Sequence, residues 1–276
     1  MKPILEIHAL KVSLPNAGGY TDVVKDATLT VNEGEIVGLA GESGSGKTMT
    51  SSAVLGILPK GAQTSGTITF EGKNLLDLPR KELARLRGNR ISMVFQDPSA
   101  ALHPLLTIGT QITEHMRYHL GVSKREAVER AVKLLEQVQI AEPRKALHSY
   151  PHEFSGGMRQ RAAIAIALAC EPRMLVADEP TTALDVTVQD GILQLFNRLC
   201  QETGVAVLFI THDLGVLSTI ADRTYVFKDG AVVESGDTDD VLLRPTHAYT
   251  QALIASRAQS LAQERIGAEA HEGDQK

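Results

Sequence analysis

Gly41-Glu42-Ser43-Gly44-Ser45-Gly46-Lys47-Thr48 fits the pattern Gly-x-x-x-x-Gly-Lys-Ser/Thr and follows the apolar run Ile36-Val37-Gly38-Leu39-Ala40, which reads as a buried strand. The stretch reads as a phosphate cradle, the alternative being a Gly/Ser-rich turn before an ordinary helix. A nucleotide's phosphates need many donors at close range, and three glycines remove the Cβ atoms that would keep backbone N–H groups from closing round them. Lys47 adds a cation, and Thr48 is left to hold Mg²⁺. Residues 49–58 read as a helix whose partly positive N-terminus points at the same phosphates. Strand, loop, Lys-Thr and helix in this order predict an α/β P-loop core.

On the N-terminal side, residues 4–14 alternate as a half-buried strand, and 23–24 and 28–31 give further short strands, an antiparallel β-layer ahead of the core. Between them Asn16-Ala17-Gly18-Gly19-Tyr20 is a turn by composition. Tyr20 either stacks on a nucleotide's adenine or faces solvent.

Downstream, residues 66–70 read as a strand, Glu71-Gly72 as a turn and 80–87 as a short basic helix. Residues 91–95 form a buried strand running into Gln96. In a doubly wound sheet ligands bind outside the carboxyl ends of strands, so Gln96 is placed to reach a metal or a water beside the phosphates; taken alone it reads more readily as a loop amide with no such role. Residues 98–158 change character, with helical patterns over 108–120 and 124–138, the second opened by a capping box of Ser123 and Glu126. Ser155-Gly156-Gly157 then leads into an apolar helix over 161–169, which is either a second anion site or a capped helix without a ligand.

Met174-Leu175-Val176-Ala177-Asp178-Glu179-Pro180 is an apolar strand ended by two acids. Successive strand residues point to opposite faces, so Asp178 is expected at the Mg²⁺ and Glu179 at the attacking water. A turn over 181–185, a helix over 186–199 and a buried strand over 205–210 follow, the strand ending in Thr211-His212-Asp213. Asp229-Gly230 marks a hairpin between strands at 223–228 and 231–234, with short helices over 238–243 and 248–258.

The chain therefore divides into a core of residues 1–97 and 159–258, a helical insert of 98–158, and a polar Gly/Glu-rich tail of 259–276 that is expected to be disordered. With Lys+Arg 28 against Asp+Glu 33, the net charge of -5 lacks the basic excess of duplex-binding domains, and nucleic acid is not an expected partner. Only 2 cysteines occur, without metal-site or disulfide spacing, which suits a reducing cytosol. No apolar run approaches the roughly 18 residues of a membrane span, so any membrane role runs through a partner.

The order of these motifs resembles the ATP-binding subunit of ABC transporters over about residues 4–258. The resemblance implies a Walker A loop at 41–48, a Q-loop at Gln96, a signature at Ser155-Gly156-Gly157-Met158-Arg159-Gln160, a Walker B strand ending at Asp178 with catalytic Glu179, a D-loop at Ala183-Leu184-Asp185 and a switch His212. Phe154 and Met158 replace the usual first and last signature residues, as in the peptide and nickel importer branch. Phe95-Gln96-Asp97-Pro98, Asp178-Glu179-Pro180-Thr181-Thr182 and His247-Ala248-Tyr249-Thr250 are similar to that branch as well. Leu14 occupies a position often aromatic there.

What the resemblance implies is an ATP- and Mg²⁺-dependent subunit driving uptake of di- or oligopeptides, with nickel or a metal chelate as the alternative cargo. A soluble ABC ATPase acting on DNA or ribosomes is the distant alternative. It further implies a head-to-tail dimer in which the signature of one subunit covers the γ-phosphate bound by the other, the second subunit being a related, non-identical ATPase. Two transmembrane permease subunits would hold the pair at the cytoplasmic face of the membrane, with a solute-binding protein acting indirectly. The cysteine cluster that many of the branch carry near the C-terminus is missing, so no iron–sulfur centre is expected.

Overall fold

The computed structural model describes residues 2–182 and 184–256. The expected tail and Ala183 of the D-loop lie outside the described residues. β1 (Pro3–Asn16) and β2 (Gly19–Asn32) form an antiparallel hairpin. Its turn is closed by the Asn16 side chain, which accepts from the Gly18 N–H at 2.8 Å. The two short strands expected after Tyr20 are one continuous β2, because the exposed Lys25 and Asp26 stay on the strand path between two buried stretches.

β3 (Ile36–Ala40) runs into the glycine loop and α1 (Lys47–Leu55). α1 stops at Gly56, whose left-handed φ of 62° ends the helix short of the expected residue 58. β4 (Gln63–Phe70), β5 (Lys73–Asn74), α2 (Arg80–Leu86) and β6 (Ile91–Val94) follow.

The segment between β6 and the next strand is helical: α3 (Pro98–Ala101), α4 (Ile108–Leu120), α5 (Lys124–Gln137), α6 (Pro143–Ala146) and α7 (Gly156–Leu168). Caps set several of these starts. Thr107, Ser123 and Ser155 each accept from a backbone N–H three residues on, a contact worth about 1 kcal/mol. The Ser155 cap is why α7 begins at Gly156, five residues before the expected start. β7 (Met174–Asp178), α8 (Val186–Thr203), β8 (Ala206–Ile210), α9 (Leu214–Ile220), β9 (Arg223–Lys228), β10 (Ala231–Asp237) and α10 (Thr238–Leu243) complete the elements, and residues 248–256 are again helical.

The strand order is β5-β4-β1-β2-β10-β9-β3-β8-β7-β6. β9, β3, β8, β7 and β6 are mutually parallel, while β5, β4, β1 and β2 form the antiparallel layer, joined to the rest by the single pairing Ala231↔Asp26. All residues of β3, β7 and β8 are buried, as a parallel sheet covered on both faces requires. Val37 and Leu39 of β3 share one core with Ala53 to Leu55 of α1 and Leu5, Ile7 and Leu29 of the antiparallel layer. Ile36 and Ala40 enter the other core, with Ile164 of α7, Phe196 of α8 and Ile112 and Leu135 of the insert. Phe196 meets Phe209 of β8 edge-on at 5.5 Å, fixing α8 against the sheet. The sequence expectation of a P-loop α/β core with an antiparallel layer and a helical insert matches this architecture. Because the core strands are parallel, the ends of β3, β6, β7 and β8 open on one edge.

Candidate functional site

At that edge lies a cleft of about 740 Å³ bordered by Glu42 to Gly44, Gly46 to Thr48, Gln96, Asp178, Glu179 and His212. Four strand ends deliver these groups to one place: the loop follows β3, Gln96 follows β6, the acids close β7 and His212 follows β8.

The loop's shape follows from its glycines. A Cβ on Gly41 would lie 2.4 Å from the Phe227 carbonyl oxygen, so the chain passes β9 only without one. Gly44 has φ +81° and nothing within 4 Å, so its backbone turns toward open space. α1 starts from Gly46 without a side-chain cap, which leaves its first N–H groups free for a ligand. Lys47 is buried and donates to the carbonyls of Gly41 at 2.6 Å and Glu42 at 2.8 Å. Burial draws its ammonium below the ordinary lysine range against the pull of Glu179 and Asp178.

Asp178 is buried, and burial raises its pKa in spite of the Thr48 hydroxyl and Lys47. The Thr48 Oγ1 to Asp178 Oδ1 distance of 3.5 Å makes a weak hydrogen bond. A buried carboxylate with so little compensation, facing a hydroxyl, is an oxygen donor set that fits Mg²⁺. Glu179 is held differently. Its Oε2 accepts from Gln96 Nε2 at 3.1 Å and Thr182 Oγ1 at 2.9 Å, and its Oε1 lies 3.0 Å from His212 Nδ1. Burial alone would raise its pKa, but the His212 and Thr182 hydrogen bonds outweigh it and hold the carboxyl below its usual range. The two neighbouring acids therefore have opposite shifts.

One expectation about this pair is corrected. β7 ends at Asp178, and Glu179 has φ +47°, a left-handed conformation, with its N–H donating to Ile210 O at 2.9 Å. Strand alternation therefore does not separate the acids, and both border the same cleft. A twist of one residue aims Glu179 at Gln96 and His212.

Tyr20 is 51% exposed on the hairpin opposite Pro15 and does not border the cleft. Leu14 and Val23, on nearby rungs, do. Ser155, Gly156, Gly157 and Asp185 also stand outside it. Ser155 caps α7, Asp185 caps α8 through the Val188 N–H at 3.0 Å, and Gly157 packs on Val188, so the two helix starts are side by side. Arg159 braces the preceding turn through the Phe154 carbonyl at 2.8 Å. Besides Val23, sequence reading missed three residues that border the cleft: Thr182 stood in plain view three residues after Glu179, whereas Met49 and Leu253 carried no local signal. Tyr249, outside the cleft, touches the loop through the Glu42 N–H.

No described helix is long and apolar enough to cross a membrane. The ABC transporter family matches residues 24–182. The oligopeptide transport ATP-binding protein OppD of Salmonella typhimurium is 46% identical over 91% of this chain and 75% of its own length. The probable D,D-dipeptide transport ATP-binding protein DdpD of Escherichia coli is 45% identical over 92% and 78%. Among solved structures, the dimeric post-hydrolysis state of the ATP-binding cassette MJ0796 bound to ADP and Pi superposes with a TM-score of 0.75 at 30% identity, covering 85% of this chain and 98% of that one.

Proposed function

This chain belongs to the ABC transporter family and is an ATPase, and from that premise we propose that it is the ATP-hydrolysing subunit of a di- or oligopeptide importer. The observation that carries the mechanism is the grip of Gln96, Thr182 and His212 on the Glu179 carboxylate. In the proposed reaction the phosphates lie along the loop, and Lys47 turns from the Gly41 and Glu42 carbonyls to the phosphate oxygens. Thr48 and Asp178, with Gln96 beside them, would hold Mg²⁺, which neutralises phosphate charge when bound. Glu179 stays ionised and polarises the attacking water, while Gln96 and His212 align the water and the γ-phosphate.

Ser155, Gly156, Gly157 and Asp185 act, in this reading, on a nucleotide held by a second ATPase chain packed head to tail. The position of these residues outside the chain's own cleft supports it, as does the dimeric, ADP-bound state of the similar cassette. We take the partner to be a related, non-identical ATPase, and the pair to sit on two permease subunits at the cytoplasmic face of the membrane. The peptide cargo is inferred from the OppD and DdpD relatives. The test is uptake of a labelled tripeptide by cells carrying Glu179→Gln in the chromosomal copy. Uptake should fall to background; undiminished peptide uptake overturns the assignment.

A further inference from the structure

The helical stretch 248–256 reaches back across the molecule to the phosphate loop. The Glu42 N–H donates to the Tyr249 hydroxyl at 3.2 Å, a contact between residues 207 positions apart. Lys228 Nζ sits 4.9 Å from the centre of the Tyr249 ring and orients it. The approach to this helix is pinned as well: the Glu234 carboxylate accepts from the N–H of Thr246 at 2.6 Å and of His247 at 3.2 Å. One helical turn beyond Tyr249, on the same face, Leu253 borders the nucleotide cleft.

The loop is thus gripped from outside at three points. Gly41 lies beneath the Phe227 carbonyl, the Ser45 carbonyl accepts from the Gly230 N–H at 2.9 Å, and the Glu42 N–H is taken by Tyr249. The first two grips come from β9 and the turn after it, which sheet pairing fixes. The third is a single side chain. It acts on the residue whose carbonyl also holds Lys47 Nζ at 2.8 Å.

We infer that Tyr249 is a positioning residue for nucleotide binding, holding the Gly41-Glu42 end of the loop in the shape that presents Lys47 and the free N–H groups of α1 to a polyphosphate. The inference rests on the proposed ATP site. It assigns Tyr249 no contact with the nucleotide and no part in water activation.

Tyr249→Phe keeps the ring over Lys228 and removes the acceptor for the Glu42 N–H; Tyr249→Leu removes both. Equilibrium binding of ATP and of inorganic tripolyphosphate to the purified full chain, with steady-state ATPase of the assembled complex, makes the test. A hydrogen bond of ordinary strength corresponds to a loss of about 2- to 12-fold in affinity. Tyr249→Phe should raise Kd for both probes, and KM for ATP, by such a factor with kcat within about twofold, and Tyr249→Leu should raise them further. Unchanged Kd for both probes in both variants overturns the inference, as does a lowered melting temperature with unchanged affinity. If the wild-type chain binds tripolyphosphate but not ATP, the ATPase reading fails while the tripolyphosphate series still decides the role of Tyr249.

Discussion

The loop before α1 and the turn before α7 are built from the same materials, glycines and a serine at a helix start, yet their surroundings differ. α1 begins without a side-chain cap, and Lys47, Asp178, Glu179, Gln96 and His212 are gathered in front of it. α7 begins with one N–H already bonded to Ser155, and its glycines face the start of α8 instead of an acid or a cation. One start opens into a cleft lined by a cation, two acids, an amide and an imidazole, whereas the glycines of the other, among the described residues, stand outside that cleft. The contrast fits the proposal that α1 opens a full site and α7 a half-site, which would act only against another molecule.

The largest effect should come from Glu179→Gln, which keeps size and hydrogen bonding but removes the charge. ATP affinity should stay within about threefold while turnover falls by about 10²-fold or more. Near-parental hydrolysis would break the comparison on its stronger side.

Ser155→Arg addresses the weaker side. It should leave ATP affinity of the separate chain unchanged and lower ATPase of the assembled pair by about tenfold or more, since bulk lands where a partner's γ-phosphate is proposed to sit. Activity that persists in a monomer and ignores this substitution sinks the half-site idea.

A smaller effect sharpens the account of the acid pair. Thr182→Val removes one of the hydrogen bonds that hold the Glu179 carboxyl low, so its pKa rises toward the ordinary value. A depressed carboxyl is ionised at any pH above its folded pKa and loses its charge as pH falls through that value. The acid limb of the kcat profile should therefore move to higher pH in Thr182→Val, with a few-fold change at neutral pH. An unmoved limb would show that His212 and Gln96 suffice. Smallest of all, Tyr20→Ala should change ATP affinity by less than about twofold, because the ring stands clear of the cleft; a loss of tenfold in a titration with ATP would return Tyr20 to the adenine.

Much of this was legible because it is local. The glycine loop, the apolar β3, the caps at Ser123 and Ser155 and the pair of acids at the end of β7 are each decided by residues within a few positions of one another. What escaped depends on distant partners. The left-handed turn at Glu179 is held by the Ile210 carbonyl of β8, so an alternation rule applied to β7 alone put on opposite faces two acids that border one cleft. Continuity of β2 is set by its pairing with β1, and no propensity in Lys25-Asp26 announces it. The Tyr249 contact spans most of the chain, and the branch-like stretch His247-Ala248-Tyr249-Thr250 gives no sign of it until the fold is closed.

The parallel core has a consequence for how the chain is made. Both neighbours of β3 come late: Val37 pairs with Leu208 of β8 and with Arg223 of β9. At roughly 5–20 residues per second, synthesis leaves β3 waiting on the order of 10–30 s for either partner. Meanwhile β1, β2 and β4 can pair among themselves, giving a nascent chain with a finished antiparallel layer and an apolar strand without an edge to join. Ribosome-bound chains arrested just before residue 206 should therefore be held by general chaperones and be cut readily by protease at the glycine loop, and both properties should vanish once residue 228 has cleared the exit tunnel.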